Sequence, residues 1–457
     1  MATRLVSVLA LVACSGAAKT VEPVVPARDA DPDGPNRAVI AKHVQPLIDA
    51  ELATGIVVGI VDAGKREIYG FGKGPNGAAP TGKTLFELGS VTKLYTGLLL
   101  ADAVQRREVG LDTPVAELLP TGVTAPTRDK RVITLRHLVL HSSGLPPLPP
   151  SVRPDAADPF GAYRESQLFQ DLVRTQLLFP PGERILMSDY GVGLLANGLG
   201  RKIGGGYVKA LTARVLVPLG LKDTFFVVPD EHKARLAAGT NEDLAPAKPW
   251  TYDALAGTGG LISSVRDQLA LIDAELDADA GSRAPLRPAM RLTQEAQLER
   301  TGDNAGLGLE IESAGIYYQT GTTGGFHAFL SFDPKTRRGV VVLASSKVSL
   351  VNAVGRNLHR VLAKEDIKPP KFADPATLAT FVGKYNFQGL ELTVSVAGKR
   401  LYVEGPGEPK IRMLPISDHE FYIERLRSIV VFEKQADKVT RAIFIVGDKQ
   451  LAAPRID

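Results

Sequence analysis

The placement of the strand-like runs constrains this 457-residue chain more than any other feature. Two runs stand near the front, Gly55-Ile56-Val57-Val58-Gly59-Ile60-Val61 and Arg66-Glu67-Ile68-Tyr69-Gly70-Phe71. They are joined by Asp62-Ala63-Gly64-Lys65, whose glycine suits a tight hairpin. Two more come some 250 residues later, Phe326 to Phe332 and Gly339 to Leu343, with Asp333-Pro334-Lys335 as the turn between them. The stretch from about 112 to 300 alternates loops with helical patches. Helical spacing also marks Arg37 to Leu52 before the first runs and Ser349 to Lys364 after the last. Strands, a helical middle, strands, then a helix predict an α+β class. An antiparallel sheet is built from both ends of the segment and flanked by helices, with a helical subdomain between.

Past Ile367-Lys368-Pro369-Pro370 the pattern changes. Leu392-Val394-Val396, Leu401-Tyr402-Val403, Phe421-Tyr422-Ile423, Ile429 to Phe432 and Ala442 to Val446 recur at roughly ten-residue spacing, as short strands do. Residues 371–457 are therefore expected to form a small all-β domain.

The front end reads as an export signal. Met1 to Arg4 is a short, weakly positive head, and Leu5 to Ala13 is apolar but too short to span a bilayer. Leu11-Val12-Ala13-Cys14 resembles the bacterial lipobox, which implies cleavage before Cys14 and lipidation of its thiol. Cys14 is the single cysteine, so no internal disulfide can form. Thr20 to Asn36, rich in Pro, Asp and Ala, reads as a tether. The expected division is a signal peptide over 1–13, a tether over 14–36, a main domain over 37–366 and the β-domain. The expected location is the cell envelope, lipid-anchored and periplasm-facing at the outer membrane, or else secreted. A net charge of +4 without a long basic run leaves no nucleic-acid footprint.

Ser90-Val91-Thr92-Lys93 carries the chemistry. It opens the helical stretch from Ser90 to about Arg107, with Leu94, Leu98, Ala101 and Val104 on one stripe. Residues three apart on a helix share a face, with Cβ atoms about 5–6 Å apart. A serine hydroxyl needs a base to take its proton, and a lysine one turn on can be that base. At a helix start Ser90 also offers its own N–H to a developing oxyanion. A chain of this length holds about one or two Ser-x-x-Lys matches by chance. This one stands alone in the chain and follows paired strands.

The segment from Gly55 through Thr84-Leu85-Phe86-Glu87-Leu88-Gly89-Ser90-Val91-Thr92-Lys93 resembles the serine β-lactamase and penicillin-binding-protein superfamily, in particular its class C β-lactamase, D,D-peptidase and esterase branch. Four later segments match in order: Thr134-Leu135-Arg136-His137-Leu138 through His141-Ser142-Ser143-Gly144-Leu145-Pro146, Pro181-Gly182-Glu183-Arg184, Gly259-Gly260-Leu261-Ile262-Ser263-Ser264-Val265-Arg266-Asp267, and Thr320-Gly321 through Gly325-Phe326. The resemblance runs over about 36 to 365. The C-terminal part, ending Ala453-Pro454-Arg455-Ile456, resembles the β-domain often appended to such proteins. The resemblance implies a β-lactamase/transpeptidase-like fold, Ser90 as nucleophile, Lys93 beside it, and oxyanion donors on Ser90 and Thr322.

Two motif positions depart from the family. Its Tyr-x-Asn falls here on Met187-Ser188-Asp189, and methionine cannot shuttle a proton. An ionised Asp189 near Lys93 would favour the charged ammonium. Either Ser188 or Tyr190 is then a substitute relay, or Ser188 to Tyr190 merely caps a helix. The family's Lys or His before Thr-Gly is Gln319, giving Gln319-Thr320-Gly321, which removes a charge that would attract a carboxylate. Asp189, Gln319, Thr320 and Gly321 are the expected substrate contacts.

His137 and His141 lack the Glu of a zinc-protease motif and are read as structural. His327 stands at a strand edge beside the third motif. No Gly-x-Ser-x-Gly elbow, phosphate loop or metal-ligand cluster stands out, so neither a metal nor an organic cofactor is expected. The leading expectation is a monomeric serine hydrolase that cleaves an ester or amide of a small-molecule or peptide substrate through an acyl-enzyme. The rivals are a catalytically impaired scaffold protein of the envelope and a peptidoglycan D,D-peptidase.

Overall fold

The computed structural model describes residues 29–31, 33–154, 156–276, 286–298, 304–436 and 438–457. The signal, the lipobox with Cys14 and most of the tether lie outside the described residues. No helix among the described residues is long and apolar enough to cross a membrane.

The strands of the first region are β1 (Gly55–Asp62), β2 (Lys65–Gly72), β3 (Leu85–Glu87), β4 (Ile262–Ser264), β5 (Asn304–Ala305), β6 (Glu310–Ile311), β7 (Tyr317–Thr322), β8 (His327–Asp333) and β9 (Arg338–Ala344). Seven of them form one antiparallel sheet in the order β2-β1-β9-β8-β7-β6-β5, so the two ends of the segment meet where β1 pairs with β9. The expected strands are present. The short β3, β4, β5 and β6 escape sequence reading because two or three residues carry no period.

The helices are α1 (Arg37–Asp49), α2 (Thr92–Gln105), α3 (Leu135–Val139), α4 (Glu165–Arg174), α5 (Asp189–Ile203), α6 (Tyr207–Leu211), α7 (Ala256–Gly259), α8 (Val265–Glu275), α9 (Arg287–Gln294) and α10 (Leu350–Leu362). The sheet is covered on both faces. Ile56, Val58 and Ile60 of β1 face a core shared with α1 and α10, while Val57 and Val61 face the larger core that holds α2 and α8. A strand buried on both faces reads as a continuous apolar run, as Gly55 to Val61 does. Gly59 allows the close approach of α8, for a Cβ there would stand 2.6 Å from a Val265 methyl.

Helix α2 is more deeply placed than a one-stripe pattern suggests. Every residue from Thr92 to Ala103 is buried, so the helix runs through the core and lifts the Ser90 end to the sheet's edge.

After α11 (Pro375–Thr380), β10 (Gly383–Phe387), β11 (Leu390–Ala397), β12 (Arg400–Glu404), β13 (Ile411–Pro415), β14 (Glu420–Ile423), β15 (Ser428–Gln435), β16 (Lys438–Val446) and β17 (Lys449–Pro454) pair in sequence order. The eight-stranded sheet nearly closes into a barrel: Tyr385 bridges Arg455, and the Ile456 N–H donates to Lys384 O at 2.9 Å. Phe381, Phe421, Phe432 and Tyr385 fill its interior, with Phe381 stacked on Phe432 at 4.5 Å. The all-β reading holds, with more strands than the five that the sequence showed. Strands β10, β13 and β17 were missed because Lys384, Asn386, Arg412, Pro415, Lys449 and Gln450 dilute their apolar alternation.

Candidate active site

The nucleophile turn is built from Leu88 onward. The chain leaves β3, makes a short 3-10 turn over Gly89–Val91 and enters α2. Gly89 has φ +50°, and a Cβ on it would lie 2.7 Å from both the N and the O of Thr322. From the other side, a Cβ on Gly321 would lie 1.9 Å from Leu88 O and 2.8 Å from Ser90 N. Two glycines thus let the end of β7 rest directly against the turn that carries Ser90. This is the structural reason for glycine at both motif positions.

Lys93 is 4% exposed and its ammonium meets three oxygens. Nζ lies 2.5 Å from Ser90 Oγ, 3.4 Å from Thr258 O and 2.8 Å from Asp189 Oδ1. The Asp189 contact is a charge pair off hydrogen-bond alignment, since Oδ1 has no hydrogen-bond partner among the described residues. Three donors for three oxygen neighbours account for a lysine buried this deeply. Ser90 is partly exposed and Asp189 is 30% exposed, so both can be reached from outside.

The second motif resolves in favour of capping. Ser188 is the N-cap of α5: its Oγ accepts from Gly191 N–H at 3.0 Å and donates to Pro146 O at 2.7 Å. A hydroxyl committed on both sides has no proton to relay toward Lys93. Tyr190 is fully buried and its hydroxyl sits 3.4 Å from Thr175 Oγ1 and 3.5 Å from Leu168 O, in the core beside α4. The expectation that Ser188 or Tyr190 substitutes for the missing tyrosine is therefore corrected. Helical rotation brings only Asp189, of these three residues, to Lys93. Met187 is 67% exposed and bonds to neither partner.

The third motif differs from expectation in a second way. Residues 317, 319 and 321 of β7 face the α2 side, and residues 318, 320 and 322 face α10, as Tyr317 stacked on Phe332 and Tyr318 on Phe329 show. Gln319 points toward Lys93, yet both of its polar atoms are engaged. Nε2 donates to Gly308 O at 2.9 Å and Oε1 accepts from Thr320 N–H at 2.9 Å. Gln319 is held as a brace, with the second N–H of its amide not used by these two bonds, and the side chain of Thr320 lies on the far face. The expected side-chain contact at Thr320 is corrected accordingly. Gly321 serves by having no side chain.

The pairing of β7 decides where the Thr322 N–H points. The hairpin to β8 closes with Thr323 N–H on Phe326 O, so the next pair, Thr322 with His327, is a non-hydrogen-bonded one. The Thr322 N–H then faces away from β8, across the open edge and toward Gly89. Beyond Tyr318 no strand covers that edge among the described residues, because β6 pairs only with Tyr317 and Tyr318.

Sequence reading missed Thr258 and Tyr252, which reach the site from a distant segment, and gave no role to Glu87, three residues before Ser90. Burial pushes the Glu87 carboxyl up to about 7, and it accepts from Trp250 N–H at 3.1 Å. Tyr252 stacks on Phe160 at 5.0 Å, and its hydroxyl lies 2.6 Å from where a Cβ on Gly259 would be. Burial first, then the Asp189, Glu87 and Asp158 carboxylates, push its phenol well above the ordinary value, so it stays protonated.

His137 and His141 hold local structure. His137 Nδ1 accepts from Thr134 N–H at 3.2 Å in a capping box, and His141 Nδ1 accepts from Ser188 N–H at 3.1 Å. No group of His, Cys, Asp and Glu fit to hold a metal occurs among the described residues. A cavity of about 30 Å³ lies against Lys93, His141 and Gln319, room for a water or two. Roomier hollows of about 360 and 710 Å³ flank the barrel, but they contain no serine–lysine pair, so volume does not locate the chemistry.

Residues 40–365 match the family model described as Beta-lactamase. The chain is 27% identical over 345 residues to a beta-lactamase of Escherichia coli K12, covering 67% of this chain and 88% of that one. It is 25% identical over 324 residues to the D-alanyl-D-alanine-carboxypeptidase/endopeptidase AmpH of the same organism, covering 67% and 83%. Among solved structures, a beta-lactamase/D-alanine carboxypeptidase from Yersinia pestis superposes with a TM-score of 0.63 at 24% identity, over 72% of this chain and 97% of that one. A class C beta-lactamase mutant gives 0.64 at 20%, over 74% and 100%. The matched residues run from α1 through α10 and include the Ser90–Lys93 turn and β7, and on that match the chain belongs to the Beta-lactamase family.

Proposed function

We propose that the protein is an envelope serine hydrolase that cleaves ester or amide bonds, β-lactam and D-amino-acid peptide bonds among them, through an acyl-enzyme on Ser90. The observation that carries this reading is the 2.5 Å contact between Ser90 Oγ and Lys93 Nζ at the edge of β7. Lys93 Nζ, in its neutral form, takes the Ser90 proton as Ser90 Oγ attacks the carbonyl carbon. The N–H groups of Ser90 and Thr322 hold the oxyanion, each of a kind worth about 2.7–4 kcal/mol in the transition state. The leaving group takes the proton back, and water then releases the acyl group by the same route. Asp189 and Tyr252 flank the entry.

A family member without a cation on the β7 strand has little to hold a substrate carboxylate. Gln319, tied to Gly308 and Thr320, cannot substitute for one. Neutral esters and amides are thus favoured, and β-lactam turnover is slow. The hydrolase names of the relatives support catalysis over a scaffold role. An export signal ending at Cys14 supports an envelope location with a lipid anchor.

A fluorophosphonate probe tests the reading. Wild type is labelled at Ser90, Ser90→Ala is not, and p-nitrophenyl ester turnover disappears with the label. A wild type inert to fluorophosphonate, penicillin and esters alike would remove the hydrolase reading.

A further inference from the structure

His327 has a place in the site that the acyl-transfer scheme leaves unused. Its ring is 4% exposed and bonds on both sides. Nδ1 lies 3.0 Å from Thr322 Oγ1, and Nε2 lies 2.8 Å from Asn352 Oδ1. Burial pushes the imidazole down to about 4, so the ring is neutral and carries one proton. With the Asn352 carbonyl as acceptor, that proton sits on Nε2, and Nδ1 accepts from the Thr322 hydroxyl.

Thr322 needs such support. Its peptide stands at the end of β7 with one edge unpaired, and its pair with His327 contributes no backbone hydrogen bond. The neighbouring edge amide of Thr320 is capped by Gln319, whereas the Thr322 amide is left to face Gly89. Among the described residues the one side-chain tie on Thr322 is to His327, which Asn352 anchors to α10. Helix α10 is itself fixed to the sheet by Val351, Val354 and Leu358. Donors aimed at a developing oxyanion act in proportion to how well they are held in advance.

We infer that the chain Thr322–His327–Asn352 is a positioning device, which sets the tilt of the Thr322 peptide so that its N–H faces the Ser90 turn. His327 and Asn352 are then positioning residues for acyl transfer, acting from the face of the sheet opposite Ser90. The inference rests on the hydrolase reading for its consequence but not for its geometry.

The test uses the full chain with His327→Phe, His327→Asn and Asn352→Leu. Phenylalanine keeps the bulk and loses both bonds, whereas asparagine keeps an acceptor near the Nδ1 position. Three quantities are read: hydrogen exchange of the peptide containing Thr322, the rate of Ser90 phosphonylation, and melting temperature. In His327→Phe, exchange at Thr322 quickens and phosphonylation slows about tenfold, a part of the 10²–10³ lost with a whole oxyanion donor. His327→Asn returns to within about threefold of wild type although it loses the ring's packing, and Asn352→Leu falls between. Equal slowing in the Phe and Asn variants, or rates that simply follow melting temperature, overturns the inference. Unchanged exchange in His327→Phe overturns it as well. If exchange responds as stated while wild-type Ser90 is never labelled, the device stands and the hydrolase reading falls.

Discussion

The two halves of the molecule treat buried polarity in opposite ways. Around the seven-stranded sheet, Glu87, Lys93, Asp102, Asp267, Glu275, His327 and His359 are all buried. In the barrel the fully buried set among the described residues is apolar apart from Ser428 and the Tyr385 hydroxyl, which donates to Phe381 O at 2.8 Å. Both regions exclude water, but among the described residues only the sheet region fully buries carboxylates, a lysine and histidines. Burying such groups costs free energy and returns little net stability even when they are paired. The barrel behaves as a region selected for packing alone. The sheet region bears a cost whose return, for Lys93 at least, is chemistry.

The sharpest way to break this contrast is Lys93→Met, a replacement of similar length without charge. If the lysine is kept for proton transfer, Ser90 phosphonylation falls by about 10²–10⁴. The melting temperature stays close to wild type, because the orphaned Asp189 is 30% exposed and water can solvate it. An unchanged rate would move the proton route elsewhere and leave the buried lysine unexplained.

Glu275 sharpens the comparison by a different measurement. It is buried beside α9 with the Gln294 amide as its partner at 2.7 Å, and burial pushes its carboxyl up to about 8. The folded chain holds this proton where the unfolded one, near 4.5, has lost it. Its contribution is fully present below 4.5 and is lost as pH rises through 8, a drop on the order of a few kcal/mol. His359 works in the other direction. Burial pushes it down to about 4, so its contribution is present above 6.5 and lost as pH falls through 4. In denaturant melts at pH 9, Glu275→Gln should be more stable than wild type by about 2 kcal/mol or more, with the difference vanishing at pH 4. A difference that persists at pH 4 would show packing rather than ionisation at this site. No surface carboxylate of the barrel should show a comparable pH-dependent gain.

What the sequence made legible follows the same division between local and distant. The Ser90–Lys93 pair is a one-turn relation, so spacing alone placed the two groups together. The inner strands β1 and β9 were readable because they are continuous apolar runs. The 187–190 segment was not, since one residue of helical rotation separates a residue in the site from one in the core, and the cap geometry fixing that rotation depends on Pro146 and His141. Thr258, Trp250 and Tyr252 lie more than 150 residues from Ser90 and bear no local signal. The role of Gln319 was read from its lost charge, whereas its bonds to Gly308 and Thr320 arise only once β7 meets the turn after β5.

Gln319→Ala gives a smaller effect that tests this brace. It frees Gly308 O and the Thr320 N–H at the strand edge, each a bond worth about 0.5–1.5 kcal/mol. If bracing is its role, ester turnover should fall about three- to tenfold through kcat, with KM little changed. A rise in KM alone would restore Gln319 as a substrate contact.

The smallest effect belongs to the barrel. Its described hydrogen-bonded ties to the sheet region run through Lys399, Arg400 and the half-buried Arg412: Lys399 Nζ donates to Asp49 O at 2.7 Å, Arg412 donates to Glu51 O at 3.5 Å, and Arg400 donates to Asp243 O. Exposed charged contacts of this kind contribute at most about 1 kcal/mol each and are screened by salt. The barrel has its own aromatic interior, and the seven-stranded sheet is complete by β9 and covered by α10. A chain ending at Asp366 should therefore retain Ser90 labelling within about threefold of full length, with melting temperature lowered by only a few degrees. Loss of labelling in a folded truncated chain would mean that the barrel shapes the site, through the exposed 241–250 segment that leads from Asp243 to Trp250 and on to Glu87. Raising ionic strength on the full-length protein separates the cases, since a barrel held by exposed charges but indifferent to the site can loosen without any change in the labelling rate.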